Sequence, residues 1–205
     1  MASPSAWERL TEGQLVARSQ RGDKDAFGEL VRRYQRLAVS IAYRMSGDAM
    51  LAEDAAQDAF LRAWQRLASF EYRGAGSFRA WLCRIVTNMT TDLLRKARPT
   101  APIEALSLPG GVRPDEAHLR QEQAQTVRAA ILRLPQASRV ALILREYEGL
   151  SYREIAEALD IPMGTVMSRL SYARNKLREE LADQHVGKSA NRQISKSASR
   201  HIERR

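Results

Sequence analysis

The stretch from Gly149 to Leu181 constrains the fold most, because its pattern predicts two helices joined by a tight turn. Ser151 followed three residues later by Glu154 is a capping box, which marks the start of the first helix. Asp160 stands where the chain must turn, and Asp tolerates a left-handed backbone better than most residues. Pro162 fits the first turn of the second helix, where its missing N–H costs nothing. The stretch therefore predicts a helix-turn-helix.

The second helix of this pair has a composition suited to a DNA major groove. Val166, Leu170 and Leu177 recur at helical spacing, so we expect them to face inward. An ordinary helical hairpin with a solvated face would show part of the same pattern, and both readings stay open at this point. The candidate DNA contacts on the outward side are short polar, aromatic or basic: Thr165, Ser168, Arg169, Tyr172, Arg174 and Lys176.

Composition excludes several classes of protein. No apolar run approaches the roughly 20 residues of a membrane span, and the N-terminus lacks the regions of a signal peptide. A single cysteine, Cys83, excludes an internal disulfide and suits a reducing compartment. We therefore expect a cytoplasmic protein. The three scattered histidines form no zinc-binding pattern, so we expect neither a metal nor a cofactor.

The net charge of +9 is unevenly distributed along the chain. Residues 14–98 carry 15 basic and nine acidic groups, whereas residues 123–184 carry nine and eight. Attraction to nucleic acid is therefore expected to be stronger in the first of these two regions.

The chain divides into two helical blocks, 14–98 and 123–182, on either side of a linker at 99–122. This linker contains Pro99, Pro102, Pro109, Pro114 and a Gly110-Gly111 pair, which oppose a continuous helix. Residues 1–13 form an N-terminal extension. The basic, Ser-rich tail at 183–205 is expected to be disordered. We predict an all-α fold of two small helical domains joined by a flexible linker.

The segment 52–67 predicts a helix with acidic groups at its start and large apolar groups later. Acidic residues near a helix N-terminus are favoured by the helix dipole, which is a purely structural explanation. Aromatic anchors beside charges also make a good docking surface. The residues alone leave both explanations open for this set: Glu53, Asp54, Gln57, Asp58, Phe60, Leu61 and Trp64.

The segment 69–99 predicts a loop followed by a long helix. Aromatic rings can stack on unpaired bases, Arg can neutralise phosphates, and Asn can read a base edge. Trp81 is ambiguous, since its spacing suits either the core or a stacking platform. The candidate nucleic-acid contacts in this segment are Phe70, Tyr72, Arg73, Arg84, Asn88, Asp92, Arg95, Lys96 and Arg98.

Taken together, these motifs resemble bacterial sigma factors of the extracytoplasmic-function (ECF) group, in the sigma-70 family. The resemblance covers about residues 14–182 and includes a proline-rich linker in the expected place. It is carried by four stretches in the right order: DAFGELVRRY (25–34), AEDAAQDAFLRAW (52–64), GSFRAWLCRIVTN (76–88) and the helix-turn-helix at 149–177.

The resemblance implies a role for each set of candidate residues. Glu53 to Trp64 would bind the clamp of the large subunit of core RNA polymerase, and the flap of the other large subunit would be a further contact. The block 69–98 would recognise and melt the promoter −10 element, with Phe70 or Tyr72 holding a flipped base. The helix-turn-helix would read the −35 element, and Ser151 and Tyr152 join its contacts.

Two departures from the family pattern stand out. The loop after Phe70 is about two residues longer than usual, with Glu71 and Tyr72 inserted before Arg73. Met167 occupies a position where many members carry Lys or Arg, so −35 affinity is expected to depend on other basic residues.

The resemblance also implies partners and excludes catalysis. Many members are held inactive by an anti-sigma protein, which is therefore a candidate partner. A dimeric helix-turn-helix regulator would explain only the second block. An enzyme such as a nuclease would need a carboxylate metal site or a nucleophile–base pair, and the sequence suggests neither. We expect a sigma factor without catalytic activity of its own.

Overall fold

The computed structural model describes residue 7, residues 9–96 and residues 114–202, with side chains of the last range described at residue 121 and residues 123–182. No strand occurs in this part of the chain, which confirms the prediction of an all-α fold. A short 3-10 turn, Leu67–Ser69, follows the third helix. The α-helices are α1 (Glu12–Gln20), α2 (Lys24–Ser46), α3 (Ala49–Arg66), α4 (Ser77–Lys96), α5 (Pro114–Arg133), α6 (Gln136–Glu146), α7 (Tyr152–Leu159) and α8 (Met163–Ile202).

Local sequence signals fix the junction between α2 and α3. Gly47 ends α2 in a left-handed conformation with φ of 80°, which glycine adopts without steric cost. Asp48 then begins α3, and its carboxylate accepts hydrogen bonds from the backbone N–H groups of Met50 and Leu51. The two long helices therefore turn back on each other over two residues.

Helices α1 to α4 form the first unit. The side of α3 that faces its neighbours carries small residues, including Ala52, Ala55, Ala59 and Ala63, all of them fully buried. Small side chains allow close helix packing, and α3 makes its main contacts with α2 and α4. Its opposite side is left for solvent or a partner.

Helices α5 to α8 form the second unit, with the helix-turn-helix at α7 and α8. The capping box of Ser151 and Glu154 is present, and Asp160 adopts the left-handed conformation with φ of 55°. Val166, Leu170 and Ala173 are buried. The sequence prediction of this motif is confirmed.

The two units pack against each other. Helix α4 contacts α7, while α2 contacts both α5 and α6. Buried apolar residues of both units belong to one continuous cluster. No helix in the described ranges is long and apolar enough to cross a membrane.

The structure differs from the sequence prediction at both ends of the second unit. The predicted linker at 99–122 lies outside the described residues as far as 113, but from Pro114 the backbone is helical. Pro114 occupies the first position of α5, where proline starts a helix instead of breaking one.

The tail predicted to be disordered, 183–205, is helical as far as Ile202, where the described residues end. It contains no proline, and extending an existing helix is far easier than nucleating a new one. The packed part of α8 provides that nucleus.

Candidate nucleic-acid and partner surfaces

The predicted docking residues of α3 separate into an exposed set and a packed set. The exposed set, here called the α3 stripe, has Leu61 at its end with 62% of its surface accessible. Each member has another member three or four residues away, so together they lie along one side of the helix. The α3 stripe consists of Glu53, Asp54, Gln57, Asp58 and Leu61.

The two aromatic residues of the same prediction belong to the packing of the first unit. Phe60 is only 8% exposed and lies in the core. Trp64 is half-buried, and its ring centroid lies 4.9 Å from that of Phe27 on α2. They hold α3 in place, and only a small part of the predicted docking residue Phe60 is left for a partner.

The loop at 69–77 places Phe70 in an aromatic cluster. Its ring centroid lies 4.6 Å from that of Trp81 and 6.0 Å from that of Phe78. Phe78 is fully buried, whereas Phe70 and Trp81 are partly exposed. The cluster therefore has a buried base and an accessible upper side, and Trp81 serves both core and surface.

Tyr72 lies apart from this cluster, against helix α1. A Cβ atom built on Gly13 would come within 2.7 Å of Cε1 of Tyr72, so the ring lies directly on the glycine backbone. Burial raises the pKa of the Tyr72 hydroxyl, and the nearby carboxylate of Glu12 adds to this effect. Arg73 is exposed and pairs with Glu71 at 3.1 Å.

Two residues of α1 that sequence reasoning missed fasten this loop. The side-chain amide of Gln20 donates to the carbonyl oxygens of Leu67 and Phe70, at 3.0 and 2.6 Å. Glu12 accepts hydrogen bonds from the Tyr34 hydroxyl and from the N–H of Gly76. The Thr11-x-x-Gln14 capping box marks the start of α1 in the sequence, but nothing there indicates these long-range bonds.

Helix α4 presents the remaining predicted contacts of the first unit. Arg84, Asn88, Arg95 and Lys96 are exposed, and Asp92 is partly exposed. Asp92 pairs with Arg95 at 2.9 Å, so these two charges partly neutralise each other. Arg98 lies outside the described residues.

Two residues predicted to contact DNA, Ser151 and Tyr152, have structural roles in the helix-turn-helix. The Ser151 hydroxyl accepts a hydrogen bond from the Glu154 N–H, and the Glu154 carboxylate accepts one from the Ser151 N–H at 2.7 Å. Hydrogen bonds to its carboxylate from the Ser151 side chain and from the Ser151 N–H lower the pKa of Glu154. The Tyr152 ring is partly buried and lies beneath the guanidinium of Arg145.

The recognition side of α8 has few charges in its first turns. Ser168 and Tyr172 are exposed, and Thr165 and Arg169 are partly exposed. From Met163 to Ala173 the only basic residue is Arg169.

The basic residues that follow in α8 are engaged within the second unit. Arg174 pairs with Glu146 at 2.7 Å, and hydrogen bonding to Glu146 and Tyr152 raises its pKa. Lys176 lies 3.4 Å from Glu179. Both remain exposed, and each would have to exchange its carboxylate partner for a phosphate to hold DNA.

The turn between α6 and α7 is held by the first unit. The Glu148 carboxylate accepts a hydrogen bond from the Ser40 hydroxyl at 2.9 Å, and the Glu148 carbonyl oxygen accepts one from Arg79. The guanidinium of Arg44 lies 3.8 Å from the ring centroid of Tyr147. Three side chains of the first unit thus contact two adjacent residues of the second.

The turn of the helix-turn-helix also contacts the first unit. Arg84 of α4 pairs with Asp160 at 2.8 Å, which joins one predicted −10 contact to the turn before α8. The two candidate DNA surfaces are therefore neighbours in this conformation. In the described ranges, no group of three or more His, Cys, Asp or Glu side chains comes together as a metal site.

Each unit matches a separate family model. Residues 30–100 match sigma-70 region 2, and residues 124–177 match sigma-70 region 4. The first match contains the α3 stripe, the aromatic cluster and the exposed side of α4. The second contains α7, the turn and α8 as far as Leu177.

Curated relatives extend this similarity to most of the chain. The ECF RNA polymerase sigma factor SigW of Bacillus subtilis is 37% identical over 180 residues, which cover 82% of this chain and 95% of that protein. The RNA polymerase sigma-H factor of Pseudomonas aeruginosa is 40% identical over 180 residues, covering 82% of this chain and 92% of that protein.

Solved structures agree with the sequence comparisons. CnrH in complex with the cytosolic domain of CnrY matches with a TM-score of 0.63 and 31% identity, over 82% of this chain and 96% of that one. The sigma factor RpoE of Bartonella quintana, in complex with the anti-sigma factor NepR, matches with a TM-score of 0.62 and 26% identity, over 76% and 96%. The chain belongs to the ECF group of the sigma-70 family of RNA polymerase sigma factors.

Proposed function

We propose that this protein binds core RNA polymerase, directs it to specific promoters and helps to melt the −10 element, without catalytic activity of its own. The observation that carries the proposal is the presence of three separate surfaces on one chain: the α3 stripe, the loop and exposed side of α4, and the helix-turn-helix. A regulator that binds only duplex DNA would need the last of these alone. In this role the protein acts in the cytoplasm, together with the polymerase.

The α3 stripe is the proposed contact with the clamp of the large polymerase subunit. The carboxylates of Glu53, Asp54 and Asp58 are exposed. None of the three forms an ion pair with a basic side chain of the described residues. Charges beside an apolar residue set the register of an interface, and Leu61 at the end of the stripe supplies that apolar contact. Phe60 and Trp64 contribute by keeping the helix rigid.

The loop and the aromatic cluster are the proposed site of −10 recognition. Tyr72 is 38% exposed and is the candidate for stacking on an unpaired base, whereas Phe70 is held between Trp81 and Phe78. Stacking on an aromatic ring compensates for the stacking that a flipped base loses. Arg73, Arg84, Asn88, Arg95 and Lys96 would hold the surrounding strand.

An anti-sigma protein is a proposed regulator. The two similar solved structures are complexes of CnrH with CnrY and of RpoE with the anti-sigma factor NepR. The flap of the other large polymerase subunit is a further proposed contact, for the second unit.

Transcription with purified core polymerase tests the proposal. We expect initiation at a defined promoter only when this protein is added. Tight binding to duplex DNA without any effect on initiation would contradict the proposal and would favour a conventional regulator.

The docking role of α3 has its own test. Changing Asp54 and Asp58 together to Ala is expected to weaken core binding by about tenfold or more, because loss of interface charges removes about 1 to 2 kcal/mol or more. The fold should be unaffected, since both side chains are exposed. The control changes two exposed carboxylates elsewhere, Asp25 and Glu157, to Ala. Equal loss of core affinity in both double variants would mean that α3 is not the docking helix.

The role of Tyr72 in melting can be separated from its role in folding. Tyr72→Ala is expected to slow open-complex formation on a duplex promoter more than it weakens the closed complex. A template with a preformed bubble at the −10 element should restore initiation, because melting is no longer required. A defect of equal size on the duplex and bubble templates would mean that Tyr72 does not act at the melting step.

A further inference from the structure

The start of α8 exposes an unusual amount of apolar surface. Among the described residues, seven large apolar side chains are exposed, and three of them lie within the first ten residues of α8. These are Met163, Met167 and Tyr172, which are 50%, 47% and 49% exposed. Met163 and Met167 are one helical turn apart, and adjacent exposed apolar groups at a recognition surface indicate what that surface binds.

The two methionines lie on the same side of the recognition helix. They are four residues apart, about one helical turn, so their side chains are neighbours. The residues that anchor α8 in the core are Val166, Leu170 and Ala173, and neither methionine belongs to that buried set. The pair is therefore available to a ligand without any change in the fold.

The surroundings of the methionines suit close approach to base edges. Gly164 and Ser168 are small and exposed, and a side chain added at Gly164 would meet nothing within 4 Å. Small neighbours let a helix lie deep in a groove, where the flexible methionine side chain can adapt to the contact. Residues at the N-terminal end of a recognition helix are those that reach base edges.

In the major groove the main apolar feature of a base pair is the C5-methyl group of thymine. Guanine is read by Arg or Lys and adenine by Asn or Gln, and this end of α8 offers only Arg169 among those residues. The groove-facing chemistry of α8 therefore matches thymine better than guanine.

We propose that Met163 and Met167 are specificity-determining residues that read thymine methyl groups in the upstream promoter element. This inference rests on the proposed function, in which α8 enters the major groove of the −35 element. If methyl reading is correct, the upstream element must contain thymine. Met167 then has a role of its own at a position where many family members carry Lys or Arg.

The test removes the methyl group from the DNA and the methionine from the protein separately. Holoenzyme reconstituted from core polymerase and the full chain first selects duplexes from a pool randomised across the upstream element. Each thymine of the selected duplex is then replaced, one at a time, by deoxyuridine, which lacks only the C5-methyl group.

We expect at least one deoxyuridine substitution to weaken holoenzyme binding about fourfold, as for the loss of one buried methyl group. With Met167→Ala or Met163→Ala, thymine and deoxyuridine at that position should bind equally well. Met50→Ala is the matched control, because Met50 is 75% exposed on α3 and should leave the fourfold difference intact.

Each other outcome overturns the inference in a distinguishable way. A selected element without thymine, or a deoxyuridine effect that both methionine variants retain, excludes methyl reading while leaving the sigma-factor role in place. Weaker assembly with core polymerase in the methionine variants, with the deoxyuridine effect unchanged, would assign this surface to a protein partner. Absence of any selected duplex and of initiation would remove the proposed function together with the inference.

Discussion

At the residue scale, a single missing side chain determines where Tyr72 lies. Gly13 leaves room for the Tyr72 ring on α1, and a Cβ at this position would come within 2.7 Å of it. Gly28 is also helical and exposed, but a Cβ there would meet nothing within 4 Å. The two glycines therefore differ in function although both stand in helices.

These two glycines make a matched pair of variants. Gly28→Ala is expected to raise the free energy of unfolding by about 0.5 to 1 kcal/mol, because alanine favours the helix. Gly13→Ala should lose this gain, since the added methyl group displaces the Tyr72 ring, and it should slow promoter melting. Thermal unfolding and open-complex kinetics measure the two effects. Equal stabilisation with normal melting in Gly13→Ala would show that the position of Tyr72 does not matter.

The sequence predicts which residues are candidates for contacts better than it predicts what surrounds each of them in the fold. Helical spacing predicts the exposed α3 stripe. The same spacing could not show that Phe60 is buried or that Trp64 packs against Phe27. These two contacts depend on helices that are distant in sequence. Similarly, the pattern identified Tyr72 and Phe70 as aromatic candidates. It could not show that they lie on different partners, since Gly13 and Trp81 come from different helices.

At the scale of the element, two helices begin with the same motif but differ in charge. Helix α1 has Thr11 capped by Gln14, and α7 has Ser151 capped by Glu154. Gln14 does not titrate in the pH range of proteins, whereas the pKa of Glu154 is lowered from 4.5 by its hydrogen bond to the Ser151 side chain. A group with a lowered pKa in the folded state stabilises the fold above its unfolded pKa and loses that contribution as the pH falls through the folded value.

The two caps therefore predict different pH dependence. Ser151→Ala and Thr11→Ala should each cost about 1 kcal/mol of stability at neutral pH. As the pH falls through the lowered pKa of Glu154, below 4.5, the cost of Ser151→Ala should shrink while that of Thr11→Ala stays constant. Urea unfolding at neutral pH and at a series of pH values below 4.5 measures both. A parallel change in both variants would contradict the assignment to Glu154.

The helices themselves were largely predictable because their signals are local. Ser151 and Asp160 mark the two ends of α7 as the sequence predicts, and Gly47 and Asp48 are local signals of the same kind between α2 and α3. The errors arose where one residue type has two meanings. Proline breaks a helix in its interior but is favoured at its first position, and Pro114 takes the second role at the start of α5.

At the scale of the whole molecule, the packing of the two units could not be predicted from the sequence. Much of it uses backbone carbonyl groups as acceptors, which every residue carries and no motif marks. Arg139 donates to the carbonyl oxygen of Met45 at 2.6 Å, and Arg128 donates to that of Gly47. The arginines are visible in the sequence, but their acceptors are not.

This packing has a consequence for promoter binding. Arg84 and Asp160 join the two candidate DNA surfaces by a contact of 2.8 Å. The position numbers of the −10 and −35 elements differ by about 25 base pairs. This separation is about 85 Å along duplex DNA, at about 3.4 Å per base pair. In the proposed function the two surfaces read these separate elements, so we predict that the contact between Arg84 and Asp160 opens and the units separate when the promoter is bound.

Fluorescence energy transfer between the units tests this separation. Labels can be attached to Gln35→Cys on α2 and Arg178→Cys on α8, because burial raises the pKa of the native Cys83 thiol to about 12 and keeps it unreactive. Transfer efficiency is expected to fall when the free protein enters the promoter-bound holoenzyme. The control pair, Gln35→Cys with Met50→Cys, lies within the first unit and should not change. If the pair across the units keeps its efficiency on the promoter, the units stay packed, and the two surfaces cannot both read the DNA elements assigned to them.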